Sequence, residues 1–518
     1  MTMLATVVET SGRVAGTAAR TAKSKLLADC LRSMTAEEVG IAVLYLSGEI
    51  RQGRIGIGPS TLRACAAESA SAPGLHILDV DRLLDELASI RGGGSAARRN
   101  DALRSLFGRA TRDEQEFLLR LLIGELRQGA LTGVMTDAIS AVMGVPLAEV
   151  RRAAMYERDL GAVARAALEA GAPGLQKFQL EVMSPIAPML AQSASDIDEA
   201  LETLTGDVVF EWKMDGARIQ VHKRGGEVRI FTRSLNDVTS SIPEIADAAR
   251  AFPAEQLVLD GEAIAFAPSG RPHPFQTTMR RFGRKVDVAR LQQELPMRAY
   301  YFDCLRRDDI SLADRPAHER FAALSAVVPP AQLIPRLITR TSEAASAFND
   351  EALARGHEGV MAKLLDAPYE AGNRDARWLK IKKVNTLDLV VLAAEWGHGR
   401  RAGKLSNLHL GAFDAGTQQY VMLGKTFKGM TDAMLDWQTK EFQARESHRD
   451  QWTVHVRPEM VVEIAFSDLQ ASKRYPGGLA LRLARVKRYR PDKRVEDADT
   501  MEAVRKIFAA QSAALEAP

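Results

Sequence analysis

Phe210-Glu-Trp-Lys-Met-Asp-Gly-Ala-Arg218, FEWKMDGAR, opens the middle third of the chain. Phe210, Trp212 and Met214 alternate with Glu211, Lys213 and Asp215. That is the period of a strand with one apolar and one charged face. Asp215-Gly216 breaks the pattern and a second run, Ile219 to Val221, follows. The stretch therefore reads either as a hairpin with a solvated outer face or as a strand whose charged face lines a site.

The surrounding residues favour the site. Glu262 lies inside the apolar run Val258-Leu-Asp-Gly-Glu-Ala-Ile264. Glu358 and Lys363 bracket Gly359-Val-Met-Ala362, and Lys380 and Lys382 alternate with Leu379 and Ile381. One charged strand position is usually solvated. Several strands carrying both Glu and Lys imply a shared polar cleft, with cations for phosphates and carboxylates for Mg²⁺. A lysine there, partly buried among other cations, becomes a nucleophilic amine. Attack on a nucleotide α-phosphorus needs such a lysine, cations on the leaving pyrophosphate, and metal on the phosphate oxygens.

Working outward, residues 183–385 alternate strand-like runs with helical segments such as Pro243–Arg250, and Gly225-Gly226 marks a hairpin turn. This is a mixed α+β domain. Residues 1–182 read as helical. Thr35-Ala-Glu-Glu38 is a capping box before Val39–Leu46, and Phe117 to Arg127 continues a helical pattern. Gly92-Gly-Gly-Ser95 splits that region. Gly48-Glu-Ile-Arg-Gln-Gly53 recurs as Gly124-Glu-Leu-Arg-Gln-Gly129, which implies a duplicated helical unit. Its glycines and arginines suit either helix C-caps or phosphate contacts. Residues 386–518 give short strands around a helical stretch, Thr431–Arg445, as in a small OB-like β-barrel.

At 518 residues the chain needs several cores. Its composition, 46% hydrophobic and 26% charged with a mean hydropathy of −0.15, is that of a globular protein. Without a long apolar run or a signal-peptide pattern at the start, the expected location is the cytoplasm. Cys30, Cys65 and Cys304 lie far apart, which disfavours a structural zinc site and a disulfide framework. A net charge of +3 neither demands nor excludes nucleic acid. Two basic runs stand out, Arg280-Arg-Phe-Gly-Arg-Lys285 and LRLARVKRYRPDKR, residues 481–494. Each reads as a solvated face or a phosphate contact.

Lys213-Met-Asp-Gly-Ala-Arg218 matches the KxDGxR signature of covalent nucleotidyltransferases. EWKMDGAR, FTRSLNDVT, LDGEAIAF, YYFDC, EGVMAK, NRDARWLKIKK and LRLARVKRYRPDK follow one another in the order found in ATP-dependent DNA ligases. Over nearly its full length the chain resembles the three-domain members of that family. The resemblance implies an all-α DNA-binding domain (1–182), an α+β adenylation domain (183–385) and a C-terminal OB-fold β-barrel (386–518). It implies Lys213 as the nucleophile that takes AMP from ATP. Glu211 would read the adenine amino group, Arg218 contact ribose or phosphate, and Arg233 bind nucleotide or DNA phosphate. Glu262 and Glu358 would serve metal and ribose, and Phe302 would stack on adenine. Lys363 joins the nucleotide-binding set, and Arg374, Lys380 and Lys382 would hold phosphates. Arg490, Asp492 and Lys493 would orient pyrophosphate. Asn373 stands where relatives often carry lysine.

The implied cofactors are ATP and Mg²⁺, and the implied partner is nicked duplex DNA, bound by a monomer. The rivals are an RNA ligase or capping-type nucleotidyltransferase, which the long helical N-terminal region disfavours, an NAD-dependent ligase, and a non-catalytic DNA-binding scaffold.

Overall fold

The computed structural model describes residues 1–53, 55–65, 67–126, 132–282, 287–372, 374–382, 385–398 and 401–516. They form two compact units. The first comprises Met1–Leu190 with residues 306–314 and 369–373; the second comprises the remainder. No helix among the described residues is long and apolar enough to cross a membrane.

The first unit is built almost wholly of helices around one apolar core that includes Leu4, Val39, Leu84, Leu118 and Val163. The sequence echo is structural. Helices Ala36–Ser47 and Arg112–Leu122 each begin with a reciprocal capping box, Thr35 with Glu38 and Thr111 with Glu114. Each ends at a left-handed glycine, Gly48 (φ 82°) or Gly124 (φ 72°). The closing bonds also match, from Gly48 to Tyr45 and Glu49 to Leu44, and from Gly124 to Leu121 and Glu125 to Arg120. The second helix thus stops at Leu122, short of the Arg127 expected from its apolar pattern, because the chain turns at Gly124. Arg51 binds Asp81 and Asp85, so its guanidinium is held by carboxylates. Gln52 reinforces both contacts. Arg127, Gln128 and Gly129 of the second copy lie outside the described residues.

The strands that build the site are β1 (Leu190–Ser193), β2 (Val208–Lys213), β3 (Ala217–Arg224), β4 (Glu227–Thr232), β5 (Gln256–Ala265), β6 (Met297–Arg307), β7 (Ile310–Ser311), β8 (Arg336–Ile338), β9 (Gly359–Leu364) and β10 (Arg374–Lys382). One sheet runs β1-β10-β9-β2-β8 and the other β4-β3-β5-β6-β7. The β3–β4 hairpin turns at Gly225 (φ 55°) and Gly226, as expected. FEWKMDGAR does not fold as a hairpin: β2 pairs with β8 and β9, while β3 pairs with β4 and β5. The Met214–Gly216 link therefore carries the chain from one sheet to the other. Gly216 permits the crossing. A Cβ on it would lie 2.5 Å from the Ala263 carbonyl oxygen and 2.9 Å from Glu262 Cγ.

The rest of the second unit is a curled antiparallel sheet consistent with an OB fold. It contains β11 (Asn385–Trp396), β12 (Leu405–Asp414), β13 (Gln419–Thr426), β14 (Glu446–Arg449), β15 (Thr453–Val456), β16 (Val461–Phe466) and β19 (Arg485–Tyr489). A separate hairpin joins β17 (Leu469–Ala471) to β18 (Leu479–Leu481). β11 closes the curl. Its first half pairs with β16, a register shift falls between Val391 and Ala393, and its far end pairs with β15. Leu389, Leu410 and Ile464 fill the inside, with Phe442 from helix Asp432–Ala444.

Candidate active site

Strand register puts Glu211 and Lys213 of FEWKMDGAR on a shared sheet face. Lys213 stands opposite Gly359, and Gly359 opposite Lys382. Two residues along, Glu211 stands opposite Arg336 on one side and Met361 on the other, with Lys380 beyond Met361. The next row holds Lys363 opposite Trp378. Residues at even spacing on paired strands share a face, so this face carries Lys213, Glu211, Lys363, Lys380 and Lys382 together.

At the Lys213 end, the ammonium pairs with Glu358, and Lys382 lies 4.0 Å from the other oxygen of that carboxylate. Burial opposes the Glu358 charge, yet Lys213, Lys382 and Arg482 together hold its pKa below the usual carboxylate range. Gly359 keeps this corner open. Its φ is 138°, and a Cβ there would stand 2.4 Å from the Ile381 carbonyl oxygen.

The second sheet contributes Arg218, directly opposite Glu262, and Phe302. Arg218 donates to Asp260 through Nε at 3.0 Å and Nη2 at 2.6 Å, and Asp260 is almost fully buried. That bidentate grip aims the guanidinium across the Phe302 and Trp378 rings, 5.4 and 5.9 Å from their centroids. Burial pushes the Glu262 carboxyl up to about 8 against the pull of Lys213 and Arg218. Burial, then the Glu358 charge, lifts Asp215 to about 6.

The deep end is drier. Glu211 and Lys363 are 1% and 2% exposed, and they meet at 2.5 Å. Arg336 lies 3.2 Å from the second Glu211 oxygen. Phe302, 8% exposed, and Trp378, 2% exposed, meet edge to face with centroids 6.4 Å apart. Behind Phe302, Asp303 and Arg320 form a bidentate pair with no exposure on either side chain.

Lys213, Glu211, Arg218, Glu262, Phe302, Glu358, Lys363, Lys380 and Lys382 are thus assembled by the two sheets. Arg233 stands exposed in the turn after β4, and no contact joins it to that group among the described residues. Asn373 and the side chain of Arg374 lie outside the described residues. Arg490 and Lys493 are held on the barrel, both by Asp388, at 3.0 and 2.6 Å. Arg490 also binds Asp492, whose pKa falls to about 2 through that bond. From the barrel, Arg482 reaches the Lys213 neighbourhood. It binds Asp468 at 2.8 Å, approaches Asp215 to 3.6 Å, and lies 4.7 Å from the Phe275 centroid. Lys382 and Asn385 both donate to Ser467, which tightens the same junction. Of the basic run 280–285, Arg281 is a buried structural clamp on Glu244, Ser241 and Leu295, while residues 283–285 lie outside the described set.

Asp215, Asp260, Trp378, Arg336 and Arg482 received no role from the sequence. Asp215 and Trp378 sit inside quoted motifs, so their position was a signal. Asp260 and Arg482 also sit inside quoted motifs, whereas Arg336 gave no signal, because its role comes from tertiary neighbours.

The donor set fits a divalent cation. Burial and the Glu358 charge push Asp215 upward, and burial, Asp260 and Asp215 push Glu262 upward, so a metal held by one or two of these carboxyls would supply positive charge they lack. No group of three His, Cys, Asp or Glu side chains converges as a closed metal cage among the described residues. One or two carboxylates completed by substrate phosphates is the arrangement Mg²⁺ accepts.

Three family models match the chain: DNA ligase N terminus over residues 65–140, ATP dependent DNA ligase domain over 188–382, and ATP dependent DNA ligase C terminal region over 401–493. A "Probable DNA ligase" from Anaeromyxobacter sp. (strain Fw109-5) is 56% identical, covering 99% of both chains. One of the same name from Mycolicibacterium gilvum is 53% identical over 98% of this chain and 99% of the other. Among solved structures, "Pmar-Lig_PreS3" shares the fold with a TM-score of 0.60 at 19% identity, covering 93% of this chain and 99% of that one.

Proposed function

The chain belongs to the ATP-dependent DNA ligase family, and on that premise we propose that it seals 5′-phosphate/3′-hydroxyl nicks in duplex DNA through three phosphoryl transfers at Lys213. The observation that carries this reading is the sheet face on which Glu358 stands between Lys213 and Lys382, next to the Arg218–Glu262 pair of the second sheet.

Lys213 Nζ attacks the α-phosphorus of ATP, forms the phosphoramide bond to AMP and releases pyrophosphate. Lys213 attacks as the free amine, its proton having passed to solvent, and the contact with Glu358 orients it. The AMP then passes to the 5′-phosphate at the nick, which frees Lys213. The 3′-hydroxyl attacks that activated phosphate, joins the strand and expels AMP. Glu262 and Glu358 would hold Mg²⁺, which supplies charge neutralisation at the phosphate oxygens when bound. Lys380 and Lys382 bind the phosphates, Phe302 stacks on the base, and Glu211 accepts from its amino group. Arg374 and Arg233 join the phosphate contacts. Arg490, Asp492 and Lys493 act on pyrophosphate when the barrel turns that strand toward Lys213.

The proposal extends to domain roles. Residues 1–182 hold the duplex backbone, 183–385 carry out adenylation, and 386–518 alternate between ATP and nick. The enzyme would act as a monomer in the cytoplasm. The test is joining of a nicked duplex with ATP and Mg²⁺. Joining that Lys213→Ala abolishes supports the reading, and joining that survives the substitution overturns it.

A further inference from the structure

Lys363 is a second lysine on the same sheet face as Lys213, and it cannot serve as a surface phosphate ligand. It is 2% exposed, and its ammonium lies 4.5 Å from the Phe302 centroid and 4.1 Å from the Trp378 centroid. It binds Oε2 of Glu211 at 2.5 Å. Arg336 on β8 and Asp303 on β6 are the other charges that act on it, and Asp303 is itself committed to Arg320. Oε1 of Glu211 accepts no hydrogen bond among the described residues, although Arg336 supplies positive charge 3.2 Å away.

An ionised carboxylate only accepts hydrogen bonds. With one oxygen held by Lys363, Glu211 keeps a single buried acceptor beside two aromatic rings. A flat ligand stacked against Phe302 gains by offering an N–H to that oxygen. It loses by offering a carbonyl, because two acceptors then face each other out of water. Building on the ligase reading, we propose that Lys363 is the positioning residue for nucleobase choice: by fixing the Glu211 carboxylate it admits 6-aminopurine nucleotides and rejects 6-oxopurine ones. Lys363 acts only through Glu211. Without it Glu211 is free to turn both oxygens onto Arg336, so the contact with an amine and the repulsion of a carbonyl vanish together.

The experiment compares covalent labelling of Lys213 from ATP and from ITP, which differ at the 6-position, in wild type, Lys363→Met and Lys363→Arg. Wild type is expected to favour ATP strongly. Lys363→Met should lower the ATP/ITP ratio by about tenfold or more, the scale on which a lost polar discriminator acts. Lys363→Arg, which keeps a cation on Glu211, should retain most of the preference. A Lys363→Met protein that labels slowly but with an unchanged ratio overturns the proposal, because a purely structural lysine slows both nucleotides alike. Should Lys363→Met fail to fold, Lys363→Gln replaces it: a collapsed ratio supports the proposal and an intact one overturns it. Wild type that takes label from neither nucleotide overturns the underlying ligase reading as well.

Discussion

Lys213 owes its setting to a neighbour without a side chain. Gly359 lies directly across from it at a φ of 138°, with Ile381 and Lys382 where a Cβ would go. Gly359→Ala should therefore cost more than about 1 kcal/mol, through a backbone that L-residues resist and a 2.4 Å approach to a carbonyl oxygen. A thermal melt measures the stability, and label uptake measures the accompanying loss of adenylation; a variant with wild-type values in both would refute the packing argument. At this scale the sequence was most legible where chemistry is local. Lys213, Glu211 and Glu358 announced themselves as charges at strand period. Arg281 did not, since a run of arginines looks the same whether one of them is exposed or wrapped by Ser241, Glu244 and Leu295.

At the scale of elements, the sequence revealed strands and concealed which sheet each one joins. Asp215-Gly216 suits a hairpin and an inter-sheet crossing equally, and the choice was made by the partners β8, β9, β4 and β5. β14 escaped notice because Glu446–Arg449, ESHR, offers no apolar alternation. Two ion pairs test what these elements contribute. Arg320→Met would leave Asp303 charged and buried behind Phe302, a loss of about 3–5 kcal/mol, measurable by chemical denaturation. On the barrel, burial opposes the Glu395 charge, yet Lys425, His409 and Asn407 bring its pKa down to about 2 from an ordinary 4.5. A depressed carboxyl stabilises the fold above its unfolded pKa and loses that contribution as pH falls from about 4.5 toward 2. Discounted for partial exposure, the effect is about 1–2 kcal/mol. Glu395→Gln should remove this limb of the acid unfolding curve, followed by tryptophan fluorescence from neighbouring Trp396. An unchanged limb would assign acid sensitivity elsewhere.

For the whole molecule, two sets of barrel cations, among the described residues, are held by different carboxylates. Arg482 contacts Asp215, while Arg490 and Lys493 rest on Asp388. Arg482→Ala should therefore impair joining of the nick more than uptake of AMP, whereas Arg490→Ala with Lys493→Ala should do the reverse. Equal defects in both steps would deny the barrel two working positions. Binding to nicked duplex should weaken steeply with added salt, as phosphate-led recognition requires; a flat profile would count against it. Which carboxylates hold these cations was not readable in the basic run 481–494, because sequence records the cations and not the partners they meet.

The most direct test follows the AMP itself. Protein freed of bound nucleotide is incubated with Mg²⁺ and α-labelled ATP, resolved on a denaturing gel, then chased with nicked duplex. The account predicts covalent label that Lys213→Ala abolishes and that leaves the protein as the nick is joined. Label that persists in Lys213→Ala, or that never forms on the intact chain, would contradict it.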